Sequence, residues 1–279
     1  MTYIKPRPTI HFARSTGSYI ILMLEILLIA CGSETRSIGL YSHGGIIRGD
    51  TTKQETALIF TGGDFSDGGE HIAEVLKAYD LKAGFFFTGD FYRSKPNKGL
   101  IRRLIADGHY MGPHSDRHLL YCSWEDRDSL LVSRQQFVDD MRANYREMEK
   151  FGIPPEAAPY FIPPYEWYNE SISAWARDKG WVLFNNTSGT LSQADYTVPS
   201  MPNYRSSDQI WDSIIKYERQ AEHGLNGFIL LIHIGSSPER TDKFYRRLEP
   251  LIQYLQKAGY NLVRIDQMLQ GLRLGSNEE

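Results

Sequence analysis

From residue 56 onward, short apolar runs alternate at least six times with stretches of helical spacing. The runs at 56–60, 82–88, 158–162, 181–184, 227–233 and 262–265 are close to continuously apolar. Strands of that kind are buried on both faces, as in a parallel sheet. Between them lie amphipathic segments. One, over 69–79, sets Ile72, Val75, Leu76 and Tyr79 on one side, and another covers 99–106. Ser133 and Gln136 form a capping box ahead of a stripe of Phe137, Met141, Tyr145 and Met148, closed by Gly152 and Pro154-Pro155. Asn169 reads as a cap, Gly180 as a stop, 207–222 as helix, and Thr241 as the cap of a helix running to 258. This order predicts helices covering a parallel sheet, most simply closed into a barrel. Chemistry then gathers at the C-terminal ends of the strands, at 61–67, 88–90, 113–118, 163–166, 185–187 and His233.

The size fits one domain: 279 residues, 41% hydrophobic, with no internal repeat or low-complexity block. A net charge of -3 gives no basic field, which argues against a nucleic-acid partner. Two cysteines are too few for a disulfide framework.

The first thirty residues read as a leader. Lys5, Arg7 and Arg14 precede an apolar stretch over 19–30. That stretch is shorter than the ~20 residues of a membrane span but has the length of a signal-peptide core. Ala30-Cys31-Gly32 at its end resembles a bacterial lipobox, so a signal peptide over 1–30 and a lipid on Cys31 are expected. This would anchor the protein to a membrane of the bacterial cell envelope, facing the periplasm or the exterior. The Ser- and Gly-rich residues 31–50 read as a tether, 51–272 as the catalytic domain and 273–279 as a tail.

His114 and His118 stand four apart, a spacing that turns two imidazoles to one side of a helical turn and can chelate a divalent metal. A third ligand is commonly a carboxylate. Asp64 and Asp67 lie in the Gly-rich loop after the first strand; one could bind metal while the other acts as general base. His233 ends the most apolar strand, placed to protonate a leaving group. Trp124, Tyr165, Trp167 and Tyr168 lie on or near the expected mouth, where aromatic rings suit stacking on a ligand as well as core or rim packing. Glu166 and Asp116 are spare carboxylates there, and Cys122 reads as small apolar packing. The Gly-rich loop has neither the Lys-Ser/Thr ending of a P-loop nor a dinucleotide fingerprint.

Taken in order, these pieces resemble the polysaccharide deacetylases of the NodB-homology type, carbohydrate esterase family 4. Ala57-Leu58-Ile59-Phe60 before an Asp-Gly loop is similar to the family's first motif, and 82–89 to its KATFFxxG strand. Residues 112–118 resemble GxHSxxH, Pro163-Pro164-Tyr165 the RxPY motif, and 230–233 the final LxH. The resemblance implies a distorted (β/α)7 barrel and a divalent metal, zinc most often, held by one Asp and two His. It implies removal of N- or O-acetyl groups from a polysaccharide or oligosaccharide. Carried over, Asp67, His114 and His118 are the metal ligands, Asp64 the base and His233 the acid. The backbone of Tyr165 is the oxyanion donor. Trp124, Glu166 and Trp167 are candidate substrate contacts.

The chain departs from the pattern in three places. Thr61-Gly62 stand where the family has two adjacent aspartates. Ile162 stands where the third motif has Arg, with Arg117 a possible substitute, and the fourth motif's Asp and Trp are absent from 184–187. An inactive carbohydrate-binding lipoprotein on a deacetylase fold is therefore the rival reading, and a metal-dependent C–N hydrolase of a non-sugar amide a third.

Overall fold

A computed structural model describes residues 39–270 and 272, together with Met1 and Thr2. The expected Cys31 lipid, the apolar stretch 19–30 and the tail 273–279 lie outside the described residues.

The described domain opens with an antiparallel hairpin of β1 (Leu40–Ser42) and β2 (Gly45–Arg48). Over 40–48 this corrects the expected tether; 31–38 lie outside the described residues. His43 and Gly44 both adopt positive φ (46° and 77°), the two-residue turn whose twist matches paired strands. Ile46 is buried, and the Arg48 guanidinium donates to the carbonyls of Gly224 and Asn226, both at 2.8 Å. Glycine here supplies a turn rather than slack.

The sheet is built on β3 (Glu55–Gly62), followed by α1 (Gly69–Ala78), β4 (Gly84–Phe87), α2 (Gly89–Arg93), α3 (Lys98–Ala106) and β5 (Tyr110–Pro113). The long α4 (Arg134–Glu149) carries the expected Ser133–Gln136 capping box. Then come β6 (Tyr160–Phe161), α5 (Glu170–Arg177) capped by Asn169, β7 (Val182–Leu183) and α6 (Ser207–Gln220). The chain continues with β8 (Phe228–His233), α7 (Leu248–Lys257), β9 (Asn261–Leu262) and α8 (Ile265–Leu269). Two expectations shift. Thr241 lies in a loop, and a 3-10 turn over Phe244–Arg247 leads into α7 instead. Ile265 starts α8 rather than ending a strand, because its fully buried side chain packs on the core from a helical turn.

Strands β5, β4, β3 and β8 pair in parallel in that order, with β9 on the start of β3. Strands β6 and β7 form a parallel pair of their own. The seams between the two groups explain the distortion of the barrel. On one side the Tyr110 hydroxyl accepts from Tyr160 N (2.9 Å) and donates to Tyr160 O (3.3 Å), a side chain standing in for a ladder bond. On the other, Asn185 N donates to Ile46 O at 2.7 Å and Thr187 N to Ile229 O at 3.1 Å. The fold is thus the expected distorted (β/α)7-type barrel, closed partly by irregular backbone. Every residue of β4 is buried, so its near-continuous apolar run is required. Phe86 reaches Phe184 at 5.0 Å while Phe87 stacks on Phe91 of α2 at 4.0 Å, so alternate side chains face opposite layers.

Candidate active site

A cavity of about 810 Å³ opens at the C-terminal ends of the strands. It is lined by Thr61 to Phe65, His114, His118, Tyr165, Glu166 and His233, among others. The last residue of β8, His233, lies in register with Thr61, so the acid candidate and the first-motif position share one rim.

His114 follows β5 directly. Its backbone N–H donates to Asn144 Oδ1 (2.9 Å), and its ring Nδ1 lies 2.9 Å from Ile162 O. A carbonyl can only accept, so Nδ1 carries the proton and Nε2 presents a lone pair. His118 Nε2 lies 3.2 Å from that Nε2. Burial holds the His114 imidazole far below its ordinary pKa, helped by the neighbouring His118. Burial and then the charge of His233 push His118 down to about 4, against the charge of Asp64. Both rings are neutral near pH 7.

Two imidazoles bound to one zinc at ~2.0–2.1 Å and a tetrahedral angle would have nitrogens ~3.3 Å apart, close to the separation here. The pair therefore fits as two ligands of a metal. No third His, Cys, Asp or Glu completes a ligand cluster among the described residues. The carboxylate nearest in effect is Asp64, which lines the cavity and acts on His118.

Asp67 is not brought to the histidines. Its carboxylate accepts from Ser236 N (2.9 Å) and the Tyr245 hydroxyl (2.9 Å) and pairs with Lys243 at 3.0 Å. These contacts outweigh its burial and hold its pKa below the usual carboxylate value. The metal-ligand role expected for Asp67 is corrected on this ground: the largely buried Lys243 captures it, and it ties the 61–69 loop to the segment after β8. Nor could position 62 bear a carboxylate without rearrangement. A Cβ on Gly62 would stand 2.8 Å from Ile234 Cγ2 and 2.9 Å from the Phe87 ring. Thr61 Oγ1 is buried without a partner.

The histidine loop is itself strained, with Ser115 (φ 67°) and His118 (φ 54°) in the left-handed region. One buried carboxylate holds it. Asp140 of α4 accepts from Ser115 Oγ (2.6 Å), Asp116 N (3.0 Å) and Arg117 N (3.1 Å). With Asn144 one turn on, α4 holds the backbone N–H of His114 and the three residues after it. Asp140→Ala leaves three donors without an acceptor at ~1–3 kcal/mol each, so urea unfolding should show a loss of about 3–5 kcal/mol. Asp116, read from the sequence as spare, is consumed by Arg93, which it meets at 2.7 and 3.2 Å.

His233 has a partner that the sequence reading missed. Its Nδ1 lies 2.6 Å from Asp195 Oδ1, and its N–H donates to Asp195 Oδ2 at 2.9 Å. Burial works against the imidazolium, but the charge and hydrogen bond of Asp195, with Glu166, raise its pKa overall. Asp195 sits in a 3-10 turn, Ser192–Tyr196, beyond the 184–187 stretch where a fourth-motif Asp was sought. The available signal was Asp195-Tyr196, a carboxylate followed by an aromatic.

Tyr165 lies in the turn after β6, its ring 4.3 Å from that of His118 and 5.7 Å from Trp124. Trp167 braces Trp124 at 5.3 Å and is itself covered by Arg127 at 3.5 Å. Five of the exposed large apolar side chains line this one cavity, Met201 and the rings of Phe65, Trp124, Tyr165 and Tyr196. Exposed rings concentrated at a mouth suit the apolar faces of sugars. Arg117 lines the same wall. Cys122 is buried, as its reading as packing requires.

Comparison with known proteins places these features in context. The sequence profile described as polysaccharide deacetylase matches residues 48–183. A peptidoglycan-N-acetylglucosamine deacetylase of Bacillus cereus is 22% identical over 81% of this chain and 94% of its own length. An uncharacterized 30.6 kDa protein of Geobacillus stearothermophilus is 25% identical over 82% and 76%. Among solved structures, a pseudoenzyme of carbohydrate esterase family 4 from Bacillus anthracis superposes with a TM-score of 0.64. It is 20% identical and is matched over 84% of this chain and 71% of that one.

Proposed function

The chain is a divergent member of the polysaccharide deacetylase family, and on that premise we propose that it hydrolyses acetyl groups from an acetylated polysaccharide or oligosaccharide. One observation carries the reading: two imidazoles with converging Nε2 atoms share a ring-lined cavity with an Asp-braced histidine. His114, His118 and Asp64 would hold a divalent metal, and two nitrogens with one carboxylate suit zinc. Such an ion supplies Lewis acidity at the acetyl carbonyl. His233, whose protonated form Asp195 favours, gives its proton to the departing sugar nitrogen or oxygen. The Tyr165 backbone N–H is the proposed donor to the developing oxyanion. The rings of Trp124, Tyr165 and Tyr196 seat the sugar.

The proposal includes the cell envelope as the place of action, with the anchor on Cys31; its support is the amino-terminal sequence alone. Among the described residues no helix is long and apolar enough to cross a membrane.

Acetate release by the full chain tests the function, using N-acetylated glycans, O-acetylated xylan and simple amides with and without a chelator. Release from sugars that stops on chelation and returns with zinc supports it. Release from simple amides only points to a non-sugar hydrolase. Glycan binding without release supports the inactive carbohydrate-binding reading, which Thr61-Gly62 in place of paired aspartates favours.

A further inference from the structure

The cavity lacks an assigned proton acceptor. Asp64 is the carboxylate proposed above as third ligand to the histidine pair, and Asp67 is held by Lys243 outside the cavity lining. Both oxygens of Asp195 are taken by His233. Asp90 pairs with Arg93 at 2.7 Å, and Glu239 stands exposed at the rim. The carboxyl of the cavity wall that these assignments leave over is Glu166.

Its backbone is shaped to present it. Tyr165 (φ 59°) and Glu166 (φ 54°) are consecutive non-glycine residues in the left-handed region. Two such residues in a row cost of order 1–3 kcal/mol each and persist only where their surroundings enforce them. Here Asn185 Nδ2 donates to Glu166 O at 2.8 Å, and the ring of Tyr165 rests on His118. A glycine at 166 would remove the strain from that position, so the retained carboxyl points to chemistry.

We infer that Glu166 is the general base of this site, taking the role that the first-motif aspartates leave vacant at Thr61-Gly62. The inference rests on the deacetylase reading. Water adds its oxygen to the acetyl carbon while its proton passes to a Glu166 carboxylate oxygen. The C–N or C–O bond of the acetyl group then breaks as His233 hands its Nε2 proton to the leaving atom. Glu166 returns the first proton to His233. One water is consumed, and free acid and deacetylated sugar leave. The charged groups that act on Glu166 are His233 of β8 and Asp195 of the 192–196 turn. Burial is the largest influence and raises its pKa; His233 opposes and Asp195 reinforces, leaving it at about 7. A base with that value is half ionised at neutral pH and strong enough to hold a proton in transit.

The test is Glu166→Gln in the full, zinc-loaded chain. Expected are a fall in kcat of about 100-fold or more, little change in KM and unchanged zinc content. The acidic limb of the pH profile disappears, and the His233 imidazole titrates at lower pH by NMR, having lost an anionic neighbour. Glu166→Asp, which keeps an ionisable group, recovers more rate than Gln. A Gln variant within about threefold of wild type, with its pH limb intact, overturns the inference and leaves the deacetylase reading standing. A wild-type chain silent on every acetylated sugar overturns both.

Discussion

His114→Ala is expected to abolish metal-dependent acetate release and to lower bound zinc to background. His114 is the more fully buried of the two facing imidazoles, and its proton is pinned on Nδ1 by Ile162 O. Its Nε2 lone pair is therefore available at no cost in tautomer or rotamer. Removing one of two neutral nitrogen donors leaves His118 and a solvent-exposed carboxylate, too little to retain a divalent ion at ordinary concentrations. Loss of Lewis-acid stabilisation amounts to several kcal/mol of barrier, and each ~1.4 kcal/mol is tenfold, so the rate should fall by about 10³ or more. Zinc content by mass spectrometry and acetate release should fall together. The Ile162 carbonyl also loses a donor, at about 1–2 kcal/mol of stability, so the variant should still fold. A variant that keeps wild-type rate and zinc would remove His114 from the site.

Asp195→Asn should have the next largest effect. Asp195 accepts from both the ring and the backbone of His233, so the near-isosteric amide discards the charge that favours imidazolium and one of the two acceptors. The folded pKa of His233 is raised, despite burial, chiefly by Asp195. Without that anion it falls, and the alkaline limb of the kcat profile moves to lower pH. At neutral pH the acid is then mostly unprotonated, and kcat drops by about 10²–10⁴. Stability follows the same sign. Because the folded value lies above the unfolded one, the ion pair's contribution is complete below about pH 6.5 and fades as pH rises through the folded value. Wild type should therefore exceed the Asn variant in stability most at pH 6 and least at pH 9, measured by urea titration. Equal pH profiles for the two proteins would show that Asp195 does not govern His233.

Much of this molecule is legible without coordinates where the signal is local. The apolar run at 82–88 can only be an interior strand, since hydrophobic side chains on both faces of β4 require cover on both. The Ser133–Gln136 box and Asn169 satisfy orphan N–H groups within three residues, so helix starts are visible in sequence order. The His114–His118 spacing also brings the two rings together, but through a loop with Ser115 and His118 at positive φ and not the expected helical turn. Residues 40–48 misled because composition cannot tell a glycine that loosens a chain from one that turns a hairpin.

What the sequence by itself determined is therefore the parallel barrel, the end of it where chemistry collects and the histidines found there, all consequences of periodicity and short-range hydrogen bonding. The pairing of charges was decided only by tertiary structure. Asp195 reaches His233 from 38 positions away, Lys243 withdraws Asp67 from the metal pair, and Arg93 claims Asp116. A carboxylate's role depends on which cation lies within a few ångströms, and that is set by how loops from separate strands meet over the barrel mouth. Glu166 is placed by the same meeting of loops, in the cavity wall within the electrostatic reach of His233.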